Sequence, residues 1–147
     1  MYTVVYHLHS MWAYLVILVV FLATANALSG VLMKRSFAPR DFRISLFALI
    51  VTHIQLLIGI IMYFISPKVV LFSGDVAMGE VMKNEMMRLY NVEHPLLMII
   101  AVILITIGYS KHKKKLSSAP KYKTLAIFYT LAFIAMLLMI PWSVWLA

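Results

Sequence analysis

Residues 43–65 hold the sequence's tightest constraint: after Arg43, the chain runs apolar to Ile65, broken only by Ser45, Thr52, His53, Gln55 and Gly59. A run of this length supplies the roughly 20 apolar residues that a helix needs to cross a bilayer. In lipid the backbone must satisfy its own polar groups, so a helix is the only single-segment solution. An imidazole in the middle of such a run is expensive, and it marks a candidate functional site. Counted from Arg43, His53 lies about 15 Å into the membrane at 1.5 Å per residue. At that depth it is expected to face the protein interior and find a partner.

Three more runs follow the same logic, at about 11–33, 91–110 and 124–140. The chain is 64% hydrophobic and 12% charged over 147 residues. Soluble domains average about 25% charge, so the composition belongs to the membrane class. One domain, 1–147, is expected: an all-α, integral membrane four-helix bundle running up and down. Cysteine is absent, which removes disulfides and thiolate metal sites. No Lys or Arg precedes the first run, so it reads as a retained span rather than a cleaved signal.

Charge predicts the orientation. Ten of the thirteen Lys and Arg residues fall in the short loops 34–43 and 111–123. The positive-inside rule then puts both loops in the cytoplasm and both termini in the periplasm of a bacterial inner membrane. Tyr2, Tyr6, Trp12, Tyr14, Trp142 and Trp145 would form the outer aromatic belt. The net charge of +8 therefore has a topological cause, and nucleic acid is not an expected partner. Between spans two and three, residues 78–90 place Met78, Val81, Met82, Met86, Leu89 and Tyr90 at helical spacing, with polar residues between. A short amphipathic helix at the periplasmic surface is expected there.

The histidines carry the chemistry. His112 sits among lysines and reads as part of a solvated basic loop. His7 and His9, two apart on a helix, point about 200° from each other, so at most one faces inward. Pro95 would leave span three short, so that helix is expected to continue upstream with a kink, placing His94 just inside the boundary. Two histidines on facing spans are what a b-type haem asks of a protein. The candidates are His53 and His94 as iron ligands, with His9 as a third player. Arg88, His9, Tyr6 and Tyr90 are available for the propionates.

His7-Leu8-His9-Ser10, His53 through Gly59, Glu93-His94-Pro95 and Ile107 through Lys111 together resemble a family of small four-span bacterial inner-membrane proteins labelled cytochrome b-like. The resemblance implies haem b, with His53 and His94 at the matching axial positions. It leaves open whether His9 or His94 pairs with His53. Two functions stay in view: a single-haem cytochrome relaying electrons, with quinol or a larger respiratory complex as partner, and a haem-free accessory subunit of such a complex. Spans almost without carboxylates argue against ion-coupled transport. No nucleophile, base and orienting acid share one depth, so no enzyme is expected.

Overall fold

The computed structural model describes residues 1–146. It is 82% helical, and four helices are long and apolar enough to cross a membrane. These are α1 (Tyr2–Met33), α2 (Pro39–Ile65), the continuous run Glu85–Lys113 that ends in α5 (His94–Lys113), and α6 (Ser118–Leu138). The short helices α3 (Met78–Lys83) and α4 (Glu85–Arg88) lie between α2 and α5, and α7 (Trp142–Trp145) closes the described chain. The segment expected to be one amphipathic helix is thus two short ones, broken at Asn84, whose side chain caps α4 by accepting from the Met87 N–H.

Local chemistry explains the ends. Lys34 adopts a left-handed conformation (φ 51°) and ends α1. Pro39 opens α2, where a missing N–H is harmless. Asp41 then receives the Ala38 N–H at 2.8 Å and the Asn26 amide at 2.9 Å. Arg35 stands 3.6 Å from the same carboxylate, so one buried acid ties the α1–α2 turn together. At the other end of the molecule, Pro95 cannot donate to the Asn91 carbonyl one turn back. A π-helical turn at Leu89–Glu93 takes up the mismatch, and the Tyr63 hydroxyl donates to the freed Asn91 carbonyl at 2.8 Å. The expected upstream continuation past Pro95 is therefore present, carried through a π-helical turn.

Each long helix packs along two others: α1 on α2 and α6, α5 on α2 and α6. Paired residues run in opposite directions, as Trp12 with Val51 and Asn26 with Asp41 show for α1 and α2. Two glycines permit the closest approaches. The Tyr122 ring fills the space where Gly30 would carry a Cβ, and Phe128 does the same at Gly108. The centre is filled by Val16, Val20, Ala27, Ala48, Val51, Ala101, Ile105 and Tyr129, and the Tyr129 hydroxyl reaches the Ser45 carbonyl at 2.8 Å. The outward faces carry Leu, Ile and Phe side chains such as Leu57, Ile103 and Leu131, as expected where lipid is the solvent.

Two expectations about the histidines are corrected. His112 is fully buried, not solvated. Helix α5 runs through it to Lys113, and its ring is boxed by Phe37, Phe42 and Tyr109. His53 faces outward rather than inward. The buried face of α2 passes through Ser45, Ala48 and Thr52, and one further residue turns the helix by about 100°.

Candidate functional site

The structure brings together His9 and His94. Their ring centroids are 6.2 Å apart with the planes inclined at 73°. Two imidazoles on opposite sides of one metal, each bonded at about 2 Å, hold their centroids roughly 6 Å apart, so the observed spacing suits a shared metal. His9 comes from α1, because that helix begins at Tyr2, nine residues earlier than the expected start at 11. His7, on the same helix, is exposed.

Each ring is held by its surroundings. The Nδ1 of His94 lies 2.7 Å from the Met139 carbonyl, so it is the protonated nitrogen and the other nitrogen keeps its lone pair. Such a back-side bond to a carbonyl is the usual way a metal-binding histidine is oriented. His9 is fixed through its backbone, whose carbonyl accepts from the Gln55 amide at 2.9 Å. Its Cε1 would lie 3.3 Å from a Cβ at Gly59, so the absence of a side chain there makes room for the ring. The Nδ1 of His9 is buried without a hydrogen-bond partner. A buried imidazole nitrogen left open, beside a second imidazole, is an observation that a ligand would explain.

The other expected site residues lie elsewhere. His53 contacts the Leu49 carbonyl through Nδ1 at 2.7 Å, and Thr106 Oγ1 stands 3.4 Å from its Nε2. The expected ligand pair of His53 and His94 is thus not the pair that meets. Arg88 is engaged with Glu93 at 3.2 Å and with the Met82 carbonyl at 2.8 Å. Tyr90 lies under the Lys68 ammonium, 4.6 Å from ring centre to nitrogen. Gln55, which the sequence offers with Asn26 and Thr24 as a hydrogen-bond partner for His53, instead serves His9, and no sequence signal marks Gly59 or Met139 as supports for the histidines.

The fold and site define a class: an all-α chain with four membrane-length helices and a pair of packed imidazoles toward one end. No protein-family model, curated protein or solved structure matches the chain.

Proposed function

We propose that the chain is a haem b-binding cytochrome that relays electrons within the bacterial inner membrane, with His9 and His94 as the axial ligands. The observation that carries this reading is the 6.2 Å spacing of two rings, one with an open buried nitrogen. Two imidazoles alone underfill the shell of an isolated metal ion, whereas a porphyrin supplies the remaining nitrogens. The bound iron would carry one electron at a time, and two protein ligands would leave it no open position for oxygen. Met139 orients His94, Gln55 anchors the His9 backbone, and Gly59 leaves the His9 ring its space. The resemblance to small four-span proteins labelled cytochrome b-like points the same way.

The proposal includes the orientation: an up-and-down four-helix bundle, both termini periplasmic, basic loops in the cytoplasm, and α3 with α4 at the periplasmic surface. The histidine pair then lies near the periplasmic side, where an acceptor or a host complex would meet it. The test is a dithionite-reduced minus air-oxidised visible spectrum of protein purified after expression with ample haem. A sharp α band of a low-spin bis-imidazole haem is the expected result. A flat spectrum from folded, haem-supplied protein would overturn the reading.

A second reading is a haem-free accessory subunit. Met78, Met82 and Met86 are exposed along one short stretch, and methionine-rich surfaces adapt readily to partner proteins. Stoichiometric co-purification with a larger complex, without a haem spectrum, would favour it.

A further inference from the structure

Three basic residues lie away from the two short basic turns: Lys68, Lys83 and Arg88. Arg88 is engaged with Glu93 at 3.2 Å and with the Met82 carbonyl at 2.8 Å. Lys83 ends α3, beyond the break at Asn84. Lys68 has no carboxylate partner among the described residues, yet its head is held in place. Its ammonium stands 4.6 Å from the centre of the Tyr90 ring and 3.4 Å from the Tyr90 hydroxyl. Its backbone is fixed as well, since its carbonyl accepts from the Asn91 side chain at 3.1 Å. An ammonium has three donors. The hydroxyl takes one, so two stay free for an anion.

One helix sets the position of this cation relative to the histidine pair. Tyr90 and His94 lie four residues apart on the continuous run Glu85–Lys113. Tyr90 is therefore about one turn, roughly 5 Å, nearer the end that carries the long connection. Both residues face the same C-terminal segment. His94 bonds the Met139 carbonyl, and Tyr90 shares a surface cavity of about 390 Å³ with Val144. Pro67, Val70 and Met87 line it beside Lys68, and its volume falls in the range of small-molecule sites. It is an apolar groove with one seated cation, a turn above His94 and on the same side of the helix.

We propose that Lys68 receives a haem carboxylate, and that the groove between Lys68, Tyr90 and Val144 holds the carboxylate-bearing edge of the ring. A haem is an apolar disc with two propionates on one edge, and in a membrane that edge must reach a cation or water. An apolar wall with a single seated ammonium at its rim fits that chemistry. Arg88, expected from the sequence to serve the propionates, cannot do so without releasing Glu93, the residue next to His94. The inference rests on the cytochrome reading for the ring itself. What it adds is the residue that orients the ring and selects the free acid over its ester.

The experiment uses the full chain in lipid nanodiscs, titrated with hemin and with hemin dimethyl ester, in which both carboxylates are methylated and uncharged. Binding is read from the Soret absorbance. The quantity compared between variants is the ratio of the two affinities, so the ester's own partitioning into lipid cancels. Lys68→Met keeps the backbone carbonyl that Asn91 uses and removes the charge. The preference for the free acid should fall about fivefold in Lys68→Met, the scale of one exposed ion pair. It should stay near wild type in Lys68→Arg and in Lys83→Met, and it should shrink in wild type as salt rises. Equal ratios in wild type and Lys68→Met would overturn the proposal. So would a ratio in Lys83→Met that falls as far as in Lys68→Met, because a general surface potential would then explain both. No Soret band from wild type with either compound would remove the cytochrome reading and this inference with it. A sharp band with an unchanged ratio in Lys68→Met would remove this inference alone.

Discussion

At the scale of residues, the polar side chains fall into sets at opposite ends of the helices. Toward one end, Asn26, Arg35 and Asp41 form a compact charge and amide network, with the Tyr122 ring beneath the Arg35 guanidinium at 5.3 Å. Its bonds go to other groups of the same network or to nearby backbone, which is the signature of a structural knot. Toward the other end, His9 and His94 meet with a buried nitrogen unspent. Unpaired buried nitrogens also occur at Arg35 and His112, so what singles out the second set is the close approach of two imidazoles. His9→Ala and His94→Ala should each abolish the low-spin α band in otherwise folded protein, whereas His112→Ala, which empties an aromatic box at the far end, should lower stability and leave the band's position unchanged. Gly59→Ala gives a finer test. Its new methyl would sit 3.3 Å from His9 Cε1, closer than nearly all such contacts, so the ring must tilt. Haem content should fall several-fold on titration with hemin, while Gly79→Ala, with nothing near its Cβ, serves as the control.

At the scale of elements, the sequence was informative in proportion to how short the connections are. Hairpin geometry pairs residues at equal distance from a tight turn. By that count the short turn after Lys113 puts His94 within a turn of Met139, which it meets, whereas the turn after Met33 puts His9 opposite Tyr63, one to two turns beyond the Gln55–Gly59 stretch that it contacts. Only the His94–Met139 pairing is legible from the loops. The His9 contact with His94 joins two separate hairpins across a long connection, and no local rule gives its register. The facing of His53 is hidden in the sequence for a related reason. Residue count gives depth but not rotation, and the α2 stripe is anchored by Asp41 and Ser45, polar residues that a hydropathy pattern would turn outward. The π-helical turn around Asn91 makes an element-level prediction. Tyr63→Phe leaves the Asn91 carbonyl without its donor, a loss of about 1 kcal/mol. Asn91→Ala also releases the Lys68 and Met87 carbonyls and the Val70 N–H, and roughly 2–4 kcal/mol is expected from several such bonds. Thermal unfolding in detergent should rank the two in that order, and equal effects would mean that Asn91 does not pin the loop.

At the scale of the whole molecule, one asymmetry governs everything else. The histidine pair and the long connection share one end, and the two short basic turns share the other, because each packed pair of neighbours is antiparallel. If the basic turns are cytoplasmic, the His9–His94 pair lies near the periplasmic surface, where the proposed haem would meet its partner; if they are not, that partner is on the other side. The chain's lack of cysteine lets this be tested with no background. Ser36→Cys in the first basic turn, Ser117→Cys in the second and Ser73→Cys in the long connection are each solvent-facing or close to solvent-facing positions. With a membrane-impermeant maleimide on cells whose outer barrier has been opened, Ser73→Cys should label at once. Ser36→Cys and Ser117→Cys should label only after the inner membrane is permeabilised. The opposite pattern would reverse the orientation while leaving the helix packing intact. Labelling of Ser36→Cys and Ser117→Cys from different sides would break the antiparallel arrangement itself, because both turns join helices that pack side by side in a single closed ring.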